Sequence, residues 1–228
     1  MPPCPKPSTP SRPKTIGYDD SYLINARYQP LTLRPMAILT QRLTFEAYLA
    51  YNDGIDIRHE LIDGELSPMS LGTGKHTAII RFLSKTLEQQ PEALQQNWVA
   101  IPVMIGIRSP RGTRWDTVRI PDITVIPNAQ LKSLEARQCV IDLHEPHPLL
   151  LIEVVSESTK SADYRAKWVE YSALNISEYW IIDCLDQLAT VCILEEGRYQ
   201  DTIFRGSELM VSPTFPSLNL TPTEIWEA

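Results

Sequence analysis

Three residues in this chain are of the type and setting to do chemistry: Glu153, Asp122 and Lys167. Glu153 interrupts Pro148-Leu-Leu-Leu-Ile-Glu-Val-Val155, an apolar run typical of a strand covered on both faces. An ionised carboxylate there needs a compensating partner, because leaving it unpaired costs several kcal/mol. Asp122 repeats the pattern, since Pro121-Asp122 opens the apolar segment Ile-Thr-Val-Ile. Each has an ordinary alternative: an ion pair or a protonated Glu for the first, a turn element for the second. Taken together they suggest more. Like charges held close are tolerated when a cation sits between them, and an oxygen-rich site of that kind suits Mg²⁺ or Mn²⁺. Lys167, four residues from both Asp163 and Tyr171, would share one helical face with them. A lysine beside a bound metal positions the attacking water or steadies the charge on a phosphate. The alternative for Lys167 is a solvated surface side chain.

The elements that must position these groups follow from periodicity and turn chemistry. Asp122 and Glu153 are 31 residues apart, room for one strand to end, a variable loop to intervene and an adjacent strand to run back. Three strand candidates follow one another, NWVAIPVMIGI, TVRIPDITVI and PHPLLLIEVVS, the second carrying Asp122 and the third Glu153. Residues 108–117 read as a polar, turn-rich loop, and 128–146 as a variable stretch. Residues 160–174 read as a helix with Trp168, Tyr171 and Leu174 toward the core. ISEYWIIDCL and LATVCILEEGRYQDTIF read as further strands. Strand, helix, strand at this spacing is a βαβ unit.

Upstream, LTFEAYLAYND (43–53) places Phe45, Tyr48 and Leu49 on one helical face. In IRHELIDGELSPM, Asp63-Gly64 between two short alternating runs signals a tight hairpin, because the primed turn needs positive φ. Residues 75–90 predict a helix with Ile79, Phe82, Leu83 and Leu87 as the buried stripe. Residues 1–14 hold six prolines and predict a disordered or polyproline-like tail. Residues 15–40 read as an extended arm, and 41–228 as one domain. The fold class expected is α/β, a central mixed β-sheet flanked by helices, with an N-terminal helix and β-hairpin.

Composition narrows the function. Hydrophobic residues make up 43% and charged residues 21% of the 228, ordinary for a chain able to bury a sizeable core. No apolar stretch approaches the roughly 20 residues of a membrane span, so no membrane partner is expected and the default compartment is cytoplasmic. Cys4, Cys139, Cys184 and Cys192 lack C-x-x-C spacing and read as reduced thiols, and no Cys/His cluster suggests zinc. A net charge of -7 argues against a general nucleic-acid coat protein but leaves room for a local basic patch.

Several motifs converge on one family. PDITVI, LLLIEVVSEST, the D-x-x-x-K-x-x-x-Y of Asp163, Lys167 and Tyr171, and EYWIID resemble the restriction endonuclease-like (Uma-two) family of the PD-(D/E)XK nuclease superfamily. RHELIDGEL, Ser67-Pro68 and His76 match its usual first half, so the resemblance covers about residues 40–222. It implies a restriction endonuclease-like α-β-β-β-α-β core and Mg²⁺- or Mn²⁺-dependent hydrolysis of DNA phosphodiesters. Asp122, Glu153 and the Val154 carbonyl would ligate the metal. It is compatible with a homodimer of two-fold related subunits and with an added specificity partner. One departure stands out: the superfamily lysine lies two residues after the Glu, where this chain has Val155, so Lys167 would be a migrated lysine.

Further candidates lie nearby. Glu60 matches a family position that brings an extra carboxylate to the metal; the alternative is a surface charge paired with Arg58. His76 at the start of the 75–90 helix would meet a substrate phosphate, or else be a capping or core histidine. Arg108, Arg111, Arg114 and Arg119 cluster where guanidinium groups could grip phosphates, Arg108 and Arg114 foremost. His144 and His147 read as incidental. The function expected is a DNA endonuclease. The competing reading is a catalytically silent nuclease fold that binds or self-associates, favoured by the net charge and the displaced lysine.

Overall fold

The computed structural model describes residues 42–52, 54 and 57–228. The described residues fall in one compact unit. The tail expected over 1–14 and the arm over 15–40 lie outside the described residues.

The N-terminal elements follow local rules closely. Thr44 caps a short helix α1 (Phe45–Leu49) by accepting from the Ala47 amide, and Phe45 is its buried residue. Strands β1 (His59–Ile62) and β2 (Glu65–Pro68) form the expected hairpin, with Ile62 opposite Glu65. Asp63 and Gly64 both have positive φ, as a primed two-residue turn demands. At Gly64 an added Cβ would meet Arg42 and Leu43 at about 3 Å, so glycine is required by packing as well. Thr73 then caps helix α2 (Gly74–Glu88), whose Ile79, Leu83 and Leu87 are fully buried and whose Phe82 is partly so. Burying each such side chain is worth roughly 1.5–3 kcal/mol, which ties the helix to the sheet beneath it.

After a short helix α3 (Pro91–Gln96), what read as long strands turn out to be divided. β3 (Trp98–Pro102) and β4 (Gly106–Arg111) are separated at Val103, whose φ is 47°. β5 (Arg114–Arg119) and β6 (Ile123–Pro127) are separated at Pro121-Asp122. The 108–117 segment, expected as a loop, is most of the β4–β5 hairpin, turning at Gly112. Its polar residues misled because Ser109 and Thr117 are fully buried between neighbouring strands. Within the variable stretch lie a helical turn α4 (Asn128–Ser133) and a two-residue strand β7 (Val140–Ile141).

These breaks make two mixed sheets rather than one. One runs β2-β1-β5-β4-β7. The other adds β8 (Leu150–Val155), β9 (Glu178–Asp183), β10 (Leu188–Glu195) and β11 (Arg198–Arg205), in the order β11-β10-β9-β8-β6-β3. β8 and β9 are parallel, so the expected βαβ unit is present. Its crossover begins as a π-helical turn (Ala162–Lys167) and continues as helix α5 (Trp168–Ala173). A final helix α6 (Pro222–Glu227), absent from the sequence reading, carries a capping box from Thr221 and Glu224.

A candidate metal centre at the junction of the two sheets

Asp122 stands where the chain leaves one sheet for the other. β6 pairs antiparallel with β8, Ile123 opposite Ile152, so Asp122 follows on opposite Glu153. Its Oδ2 accepts from the Val154 amide at 2.7 Å. Every residue of β8 is buried, and Glu153 is 3% exposed. Val155, where the superfamily pattern has a lysine, lies in the apolar cluster with Tyr171 and Tyr179. No ammonium could replace it there without a partner.

A lysine approaches Glu153 from the crossover. Lys167 Nζ is 2.8 Å from Glu153 Oε2 and 3.0 Å from Asp163 Oδ1. Tyr171 Oη donates to the other Glu153 oxygen at 3.0 Å. The π-helical turn brings Asp163 and Lys167 both inward, where they are 1% and 5% exposed. Single π turns of this kind recur at functional sites. Tyr179 Oη donates to the Asp163 carbonyl (3.1 Å), giving that group a partner outside the helix. The surface-lysine alternative is therefore excluded for Lys167.

Electrostatics at this point are unbalanced. Burial pushes the Glu153 carboxyl well above the usual range; Lys167 pulls it back, while Asp163 and Asp122 push it further up. Burial works against the Lys167 ammonium, but the Glu153 and Asp163 charges outweigh it and raise its pKa. Burial and the Glu153 charge likewise raise the Tyr171 hydroxyl. Lys167 thus meets two carboxylates, Glu153 and Asp163, and neither side-chain oxygen of Asp163 has a hydrogen-bond partner among the described residues, its Oδ1 meeting the ammonium as an ion pair.

His76 belongs to this site. Thr73 accepts from its amide at 3.2 Å, and its ring Nε2 is 3.0 Å from the Val154 carbonyl and 3.4 Å from Asp122 Oδ2. The hydrogen bond to Asp122 is the main cause of its raised pKa. The ring lies between two candidate ligands, a placement that the sequence alternatives, a phosphate contact or a capping or core histidine, did not specify.

Glu60 pairs not with Arg58 but with Arg119, whose Nη1 is 3.1 Å from Glu60 Oε2, while the Ile120 amide donates to Oε1 at 3.0 Å. Its negative charge acts on Lys167, so it borders the site. Arg119 is 2% exposed and makes a paired contact to Glu170 at 2.7 and 2.9 Å. It is an internal brace. Arg108 is engaged by Asp142 (3.0 Å) and the Trp115 carbonyl (3.1 Å), with its guanidinium 4.0 Å above the Phe45 ring. Arg114 pairs with Asp63 and Asp116, each at 3.1 Å. Sequence reasoning passed over Asp163 and Tyr171 as site residues, although their four-residue spacing about Lys167 was the signal.

Fold and site now define a nuclease-like α/β domain built around paired carboxylates and a buried lysine. The family model of Uma2, described as "Putative restriction endonuclease", matches residues 45–223, and the chain belongs to that family. A solved structure from Anabaena variabilis, titled a putative nuclease belonging to DUF820, is similar at 18% identity, with a TM-score of 0.64 over 81% of this chain and 98% of that one. Among curated proteins none matches. No helix among the described residues is long and apolar enough to cross a membrane.

Proposed function

We propose that this chain hydrolyses DNA phosphodiester bonds with a divalent cation, Mg²⁺ or Mn²⁺, held by Asp122, Glu153 and the Val154 carbonyl. The observation that carries this reading is the convergence of Asp122 and Glu153 across neighbouring strands beside a buried lysine. The donor set fits a hard cation: its ligands are oxygens, and the charges of Asp163 and Asp122 both act on Glu153 against that of Lys167. Among the described residues no group of three or more His, Cys, Asp or Glu is arranged to hold a metal ion. The remaining positions would fall to water and phosphate oxygens, the arrangement Mg²⁺ commonly adopts.

When bound, the cation polarises the scissile phosphate and lowers the pKa of a water. The chain's own residues do the rest. Asp122 and Glu153 orient the ion, and the Lys167 ammonium steadies charge developing on the phosphate. The Glu60 charge acts on Lys167, and His76 Nε2 steadies Asp122 and the Val154 carbonyl, its phosphate contact requiring the ring to turn from them. Arg114, with 38% of its side chain exposed, is better placed than the more buried Arg108 to meet the DNA backbone. A two-fold homodimer and an added specificity partner belong to the same proposal.

The test is cleavage of plasmid and linear DNA by purified protein in Mn²⁺. Expected is cutting that stops on chelation and is lost in Asp122→Asn and Glu153→Gln. Robust cutting by both variants would overturn the assignment. A second reading, a catalytically silent nuclease fold, is favoured by one observation: Lys167 and Tyr171 already take both Glu153 oxygens. Thermal unfolding separates the two, since a melting temperature that rises with Mn²⁺ supports an intact site. No response at millimolar Mn²⁺ favours the silent fold.

A further inference from the structure

Asp163 takes no part in the ligation proposed above, yet it is 1% exposed and fixed from several sides. Its amide donates to the Thr159 carbonyl (3.0 Å) and its own carbonyl accepts from Tyr179 Oη (3.1 Å). Its side chain approaches Lys167 Nζ at 3.0 Å through Oδ1 alone. The ammonium therefore spans two buried carboxylates, Glu153 at 2.8 Å and Asp163.

We infer that Asp163 is a positioning residue that retains the Lys167 ammonium when Glu153 engages a cation. This rests on the metal-site reading. A carboxylate drawn to a divalent ion has less charge left for an ammonium, because both compete for the same oxygens. Lys167, 5% exposed, would then be a buried cation short of a counter-charge, a state that protein interiors penalise heavily. Asp163 supplies the missing charge from the opposite side. It also keeps Nζ within reach of the Glu153 carboxylate rather than letting it withdraw. Neither Asp163 oxygen makes a hydrogen bond among the described residues, which fits that role, since Asp163 gives its charge to the ammonium and to no second donor.

The experiment is a double-mutant cycle read by Mn²⁺ binding to the full chain, without DNA, by calorimetry. Four proteins are compared: wild type, Asp163→Asn, Lys167→Met and the double variant. Expected is about a tenfold loss of Mn²⁺ affinity for Asp163→Asn and less than about a twofold effect of the same change in the Lys167→Met background. Asp163→Glu, which keeps the charge, should restore affinity to within about threefold of wild type. Metal-free circular dichroism checks folding, and Asp163→Ser completes the cycle if the Asn variant misfolds. An equal loss in both backgrounds, or no loss in either, overturns the inference. Wild type that binds no Mn²⁺ fails the metal site itself and takes this inference with it. Binding that needs Glu153 but ignores Asp163 sinks the inference alone.

Discussion

Adjacent residues of α5, Glu170 and Tyr171, reach into two different groups of buried charge. On one side Glu170 receives a paired contact from Arg119, which also reaches Glu60, while Ser109 and Arg111 complete the shell at 3.4 and 3.6 Å. Two carboxylates meet two guanidinium groups there, and the geometry matches the planar fork of arginine. On the other side Tyr171 meets Glu153, where Glu153 and Asp163 share one lysine and both Asp163 oxygens lack a hydrogen bond among the described residues. The first group is balanced and braces β1 and β5 against α5. In the second, burial above all raises the Glu153 carboxyl well above its ordinary range, and Asp163 and Asp122 add to that against Lys167. Burial of charge alone does not mark a site; surplus charge with an unfilled bonding position does.

The comparison can be broken at several strengths. The largest effect is expected from Arg119→Leu, which strands Glu170 and Glu60 without their guanidinium. Removing one partner of a buried pair costs about 3–5 kcal/mol, so the melting temperature should fall by roughly 10 °C or more in a domain of this size. A drop of only a few degrees would mean that the balanced group is no brace.

Glu153→Gln should do the opposite job. It removes surplus negative charge, so the metal-free variant is expected to melt within about 5 °C of wild type while losing any rise with Mn²⁺. A collapse as large as that of Arg119→Leu would erase the distinction between the two groups. The same variant tests pH. Because the folded-state pKa of Glu153 is raised, the stability it contributes is complete below its unfolded value near 4.5 and is lost as pH rises through the folded value. Wild type should therefore lose ground against Glu153→Gln as pH rises above that unfolded value without metal. A gap in melting temperature that stays flat with pH would contradict the assignment.

The smallest effect sets the scale. Arg114→Ala cuts two exposed ion pairs, and such pairs are worth about 1 kcal/mol or less. A larger loss, read by denaturant midpoint, would show that the β4–β5 hairpin is coupled to the brace behind it.

Much of this was legible residue by residue. LLLIEVV and the ITVI after Pro-Asp announced buried strands, and their carboxylates stood out because apolar strands rarely admit one at no gain. Asp63-Gly64 announced its turn because few other pairs accept positive φ at both positions. The four-residue spacing of Asp163, Lys167 and Tyr171 announced a shared face. Other features depended on distant partners. The Arg108–Arg119 run looked like a solvated basic loop because isolated arginines carry no sign of whether a Glu or Asp waits for them. Glu170, Glu60 and Asp142 are all more than 30 positions away from their arginines.

What the chain's order determined by itself was local: where backbone turns, which segments bury both faces, and which side chains are too charged for their neighbourhood. Those follow from sterics and solvation acting over a few residues. The tertiary structure alone decided which carboxylates are neutralised and which stay in surplus. That outcome depends on low-dielectric distances between β1, β5, β8 and the crossover helix, and charge balance across such distances has no local signature.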